Sequence, residues 1–174
     1  MAVPARRALA AAGLRQYEIS NFARCGHESR HNLRYWQRRP YLGLGLDASS
    51  MLRESASPEL GYVLRSTTSD NLSAYLEGTQ RPEIAWLSPD RQSEEAWFLG
   101  LRLNGGVSVS ALQQEFGNLR VARALEVVEQ LADRGLVISD GETIRLTDQG
   151  RLLSNDVFQE FLETAAAEPQ RTAG

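Results

Sequence analysis

Between Tyr17 and Ser50 the chain reads YEISNFARCGHESRHNLRYWQRRPYLGLGLDASS, and this block holds the residues best equipped for chemistry. At its centre His31, Asn32, Tyr35 and Trp36 share the segment HNLRYW, with Arg30, Arg34 and Arg38 around them. Aromatic area, cationic donors and exposed glycine backbone together suit a flat, anionic, partly apolar ligand. A neutral imidazole is a good axial ligand for haem iron. An aromatic pair can cover a macrocycle face, and guanidinium groups can pair with propionates. The plain alternative is that Tyr35 and Trp36 simply pack a helix onto the protein. His27 precedes His31 by four residues, a spacing that chelates a metal on one continuous helix. Gly26, however, places His27 at or outside the helix start, and no third ligand is evident. The run Gly43-x-Gly45-x-x-Ala48-x-Ser50 has the outline of a dinucleotide fingerprint, but no acidic residue ends a following strand to support it.

The elements that must position these residues can be read from periodicity and caps. Ala2 to Ala12 reads as a helix stopped by Gly13, and Leu14 to Ser20 as a short strand, an opening of α/β type. Glu28 to Arg38 reads as a helix that Pro40 ends. Tyr41 to Leu46 is apolar between turn signals and reads as a buried strand. Tyr62 to Thr67 reads as a further strand, and Ser69 to Glu77 as a helix capped by Ser69 and ended by Gly78. A second unit begins near Pro82. Ser88-Pro89-Asp90 opens a helix carrying Ala96, Trp97, Leu99, Gly100 and Leu103, which Asn104-Gly105-Gly106 stops. Ser108–Phe116 and Leu119–Leu131 read as helices, the second with a stripe of Val121, Ala122, Leu125, Val128 and Ala132. Strands at Leu136–Ser139 and Thr143–Leu146 join at Asp140-Gly141, a favoured hairpin turn. One helix capped by Thr147 follows, and the tail from Ala165 reads as frayed. Helices, a β-wing and a helix give a winged-helix-like order.

Composition narrows the function classes. The 174 residues suffice for one medium domain or two small ones, and no stretch approaches the apolar length needed to span a bilayer. The opening MAVPARRALAAAGLRQ is interrupted by Arg6 and Arg7 and reads as an amphipathic helix rather than a signal peptide. Cys25 is the one cysteine, which excludes an internal disulfide framework and suits a reducing cytoplasm. Residues 1–40 carry a net charge of +6 and the remainder −9, so the first quarter can attract propionates, phosphates or RNA. Over residues 107–150, the winged-helix-like part, the net charge is −3, the wrong sign for a DNA-reading module. A nucleic-acid partner is therefore not expected, and a packing or lid role suits this unit better.

YEISNFA, then HN-x-x-YW, then Y-x-G-x-G-x-x-A-x-S resembles the HemW-type haem chaperones, radical-SAM proteins grouped with oxygen-independent coproporphyrinogen III oxidases. The resemblance covers the later part of such a protein. It implies an α/β fold: the C-terminal part of a radical-SAM partial TIM-type barrel, then a mostly helical winged-helix-like domain. The expected divisions are barrel end over 1–66, a linker helix over 67–81, the HemN/HemW-type C-terminal domain over 82–165, and a disordered tail over 166–174. It implies haem contact through His31, Asn32, Tyr35 and Trp36, with His31 on the iron. Arg30, Arg34 or Arg38 would stand near the propionates. Gly43, Gly45 and Ala48 would lie near an S-adenosylmethionine pocket, toward which Glu18 and Asn21 also point, unless these two only cap a strand end. Members of the family commonly have His where Ser49 stands, a small residue at Asp47 and Pro at Cys25, so this chain departs from the pattern there.

Full-length members would also hold a 4Fe-4S cluster and S-adenosylmethionine. Such a cluster needs three cysteines in a C-x3-C-x2-C loop, which one cysteine cannot supply. The function implied is a cytoplasmic chaperone holding haem for apoproteins, with a peripheral membrane contact during transfer. The enzymatic alternative is a coproporphyrinogen III oxidase, and this chain by itself is expected to be inactive. Without the first half of the barrel, uncovered apolar faces and an unpaired strand edge would favour association.

Overall fold

A computed structural model describes residues 3–53 and 61–163. The expected tail from Ala165 lies outside the described residues. The chain opens with helix α1 (Val3–Ala11), which Gly13 ends at φ +77°. The strand expected over 14–20 is instead a small antiparallel hairpin, β1 (Arg15–Gln16) with β2 (Phe22–Ala23). The cause is Glu18, whose Oε1 accepts from the Ser20 backbone N–H and from Asn21 Nδ2 and so turns the chain back. Helix α2 (Arg30–Trp36) is capped by Ser29, whose Oγ accepts from the Asn32 N–H at 3.2 Å.

Residues 42–48 form a loop, not the expected buried strand, and only Tyr41 bridges to Met51. Leu42 and Leu44 are 69% and 85% exposed, so the apolar alternation does not report burial here. Positive φ at Gly45 (+104°) and Asp47 (+49°) is incompatible with an extended strand. The chain then builds an antiparallel sheet in the order β3 (Ser49–Arg53), β4 (Val63–Thr67), β5 (Glu83–Leu87). This sheet continues across both 66/67 and 81/82. Between β4 and β5 lies α3 (Leu72–Leu76), capped by Asn71 rather than Ser69. One sheet face, with Met51 and Val63 buried, turns toward α4 (Pro89–Arg102). Gln92 on α4 donates to both Gly61 O and Leu87 O at 3.0 Å, and Glu95 pairs with Arg65 at 2.7 Å.

The remaining elements are β6 (Val107–Ser108), α5 (Val109–Phe116), α6 (Asn118–Asp133), the wing β7 (Val137–Ser139) and β8 (Thr143–Leu146), then α7 (Asp148–Leu152) and α8 (Ser154–Glu163). The sheet order is β6-β8-β7, and every strand pairing among the described residues is antiparallel. The last helix, expected as one, breaks at Leu153. On α6 the buried stripe is Val121, Ala124, Val127, Val128 and Leu131, whereas Ala122 and Ala132 are exposed. The core of this half centres on Trp97, stacked on Phe161 with ring centroids 5.5 Å apart. Gly150 packs so closely on Leu136 that a Cβ would lie 1.9 Å from its carbonyl oxygen.

Candidate ligand site at helix α2

Helix α2 carries all four residues of the HN-x-x-YW segment. His31 is exposed in its first turn, and Tyr35, one turn later, meets it edge-on with ring centroids 4.8 Å apart. Tyr35 in turn meets Tyr41 edge-on at 4.5 Å, so three rings run in a row from the exposed imidazole. The row ends in a cleft of about 460 Å³ bounded by Tyr35, Trp36, Tyr41, Met51 and Leu99. Its polar wall consists of Arg65 and the hydroxyl residues Ser49, Ser50, Ser66 and Thr67. Burial raises the Tyr41 phenol above its ordinary pKa, although Arg65 opposes this, so Tyr41 keeps its proton and can donate.

Two donors here stand out. Trp36 Nε1 and Arg65 Nε are buried and have no hydrogen-bond partner among the described residues. A buried donor without an acceptor is costly, and a carboxylate is the acceptor that a guanidinium and an indole N–H both serve. Trp36 itself is fixed from behind: the Arg102 guanidinium lies 4.2 Å from its ring centroid. Arg102 is held by Glu18, which is fully buried and pairs with it at 3.4 Å. Glu18 and Asn21 thus cap the hairpin turn and support Trp36 through Arg102.

Two of the three arginines named from the sequence are engaged within the protein. Arg38 bonds Glu115 at 2.6 Å and lies 5.0 Å from the Phe116 ring centroid. Burial lowers its pKa, against the pull of Glu115. Arg34 donates to Pro40 O. Arg30 is exposed on the first turn of α2. Arg65 was not legible as a site residue, because it reaches the cleft from β4, far along the chain. Asn32 is half-buried, its backbone N–H engaged by Ser29.

His27 lies outside α2, so it shares no helical face with His31, and no group of three or more metal-ligating side chains occurs among the described residues. Cys25 is an exposed free thiol. Gly43 sits in the loop facing the sheet: its N–H donates to Ser50 Oγ at 3.0 Å, and a Cβ there would lie 2.2 Å from Ser49 O. Gly45 O accepts from the Thr68 hydroxyl, whose oxygen in turn accepts the Ala48 N–H at 2.8 Å. Gly43 thus anchors this loop to β3, and Gly45 and Ala48 anchor it to Thr68 at the end of β4.

Residues 87–153 match the HemN C-terminal domain. The chain is 36% identical to the heme chaperone HemW of Bacillus subtilis over 86% of its own length and 38% of that protein's. The chain is a homologue of the HemW proteins. Its identity to HemW of Lactococcus lactis is 35%, over 88% of this chain and 39% of that protein. Radical S-adenosyl methionine domain-containing protein 1 of Bos taurus, a mitochondrial protein, is 32% identical over 90% of this chain and 37% of its own length. The chain therefore spans about two fifths of the length of the curated relatives it matches. Its fold is that of coproporphyrinogen III oxidase, HemN, from Escherichia coli, a radical SAM enzyme. The TM-score is 0.66 at 21% identity, over 91% of this chain and 39% of that one. The matched HemN C-terminal domain coincides with α4 to α7. The one cysteine in the sequence cannot supply the three thiolates of a radical-SAM cluster's C-x3-C-x2-C loop.

Proposed function

We propose that this HemW homologue binds haem at α2 and holds it for transfer to apoproteins. The observation that carries the reading is the row His31–Tyr35–Tyr41, which joins an exposed imidazole to a cleft with two unpartnered donors. In this reading His31 supplies the axial nitrogen, Tyr35 and Tyr41 cover apolar macrocycle surface, and Arg65 with Trp36 Nε1 receives a propionate. An exposed ligand on a short surface helix suits a protein that must release its cargo. Membrane contact during transfer and a cytoplasmic setting belong to the same proposal; no helix among the described residues is long and apolar enough to cross a membrane. The oxidase reading rests on fold likeness alone, and the HN-x-x-YW segment favours the chaperone over it.

The test is a haemin titration followed by absorbance. Wild type is expected to give a saturable Soret shift that His31→Ala abolishes, while Arg65→Ala retains the spectrum with roughly tenfold weaker affinity. An identical shift in wild type and His31→Ala would refute the assignment.

A further inference from the structure

A second cleft, of about 500 Å³, opens between α1, the β1–β2 hairpin and α7. Four guanidinium groups line it, those of Arg6, Arg7, Arg15 and Arg151, against a single carboxylate, Asp148. Asp148 Oδ1 accepts from Arg6 and from Arg151, each at 2.9 Å, and so pins these two side chains at the rim. The Arg6 contact, followed by the nearby positive charge of Arg151, holds the Asp148 carboxyl below its ordinary pKa. Arg7 and Arg15 are exposed and have no ion-pair partner among the described residues. The lining therefore carries a net charge of +3.

Charge of that size around a concavity selects a multiply charged anion over a single carboxylate, and guanidinium forks match phosphate oxygens. Two further observations restrict the ligand. Leu14 and Phe22 give the cleft a half-buried apolar floor. Gln16 Oε1 and Asn104 Oδ1, on two lining residues, are buried without a hydrogen-bond partner among the described residues. Their amide nitrogens are already committed, Gln16 Nε2 to Ile19 O at 2.7 Å and Asn104 Nδ2 to Gln16 O. The free oxygens call for a ligand that brings O–H or N–H donors.

A phosphate, hydroxyl or amine donors and a flat apolar part, within a volume in the ordinary range for small-molecule sites, describe one class of compound. We propose that this cleft binds a phosphorylated nucleoside. Arg7 and Arg15 take the phosphate, and the base lies over Leu14 and Phe22. The ligand is bound, not transformed.

Adenosine monophosphate is the probe, titrated calorimetrically into the purified full chain, with adenosine and inorganic phosphate titrated separately. The nucleotide is expected to bind saturably and more tightly than either fragment, with affinity falling as salt rises. Arg7→Ala/Arg15→Ala is expected to weaken binding roughly tenfold or more. The melting temperature should not move, because both side chains are exposed and unpaired. Absent nucleotide binding, equal binding by the double variant, or equal affinity for inorganic phosphate alone would each overturn the proposal.

Discussion

Glu18 shows how much one side chain can organise. Its carboxylate receives the Ser20 N–H at 2.8 Å, Asn21 Nδ2 at 2.6 Å and the Arg102 guanidinium at 3.4 Å, all with no solvent exposure. Arg102 then fixes Trp36 in the proposed haem site. Removing one partner of a buried pair strands the other. Glu18→Ala is therefore expected to lose roughly 3 kcal/mol in urea unfolding. Glu18→Gln, which keeps acceptors for Ser20 and Asn21, should lose less than half as much. Equal losses would show that the charge, not the hydrogen bonds, is what counts. Glu95 gives a pH-dependent case. Burial raises its pKa above the ordinary carboxylate value, although Arg65 and Arg38 oppose this. The folded protein thus holds this proton more tightly than the unfolded chain does. Its contribution to stability is present below the unfolded pKa and is lost as the pH rises toward the folded one. Glu95→Gln removes that loss, so the variant should gain on wild type as the pH rises above the ordinary glutamate value of about 4 in paired unfolding curves. A variant that instead falls behind as pH rises would mean that pairing with Arg65 dominates.

Among the elements, α2 is open to local perturbation. It has seven residues and buries none of them fully, so local capping carries an unusual share of its stability. Ser29→Ala is expected to remove about 1 kcal/mol from this helix. Haem affinity should fall severalfold while the melting temperature of the whole chain barely changes. A large global destabilisation would contradict the view of α2 as a locally held element. Such local signals were also the ones legible in the sequence. Ser88-Pro89 and Thr147 are caps in the structure as their side chains predict, and Asp140-Gly141 turns the wing. The strands β3 and β5 were not legible, because SSMLR and EIAWL acquire meaning only through pairing with β4. Leu42, Leu44 and Leu46 alternate like a strand, yet backbone conformation at Gly45 and Asp47 decides the loop. The same division holds at the site. HNLRYW stands out locally, whereas Tyr41, Arg65, Arg102 and Glu18 converge on it from separate elements.

At the scale of the whole molecule, the sheet has two unlike faces. Register places Leu52, Leu64 and Trp86 side by side, with Ile84 next on β5, on the face opposite Met51 and Val63. Trp86 is 60% exposed, Ile84 56% and Leu52 42%, so large apolar side chains meet solvent together. β5 pairs only with β4 among the described residues, which adds a row of open backbone groups beside this patch. Grouped apolar surface of this kind drives association, whereas single exposed residues do not. The purified chain is expected to bind an environment-sensitive apolar dye and to sediment with a concentration-dependent mass. Ile84→Lys/Trp86→Lys should reduce both effects and leave the circular dichroism spectrum intact, since neither side chain is part of the buried core. Lysine on an edge strand also disfavours edge pairing directly. If dye binding and sedimentation were unchanged in the double variant, association would have to arise elsewhere. The buried face toward α4, with Gln92 clamping Gly61 and Leu87, would then be the part of this sheet that mattered to the molecule.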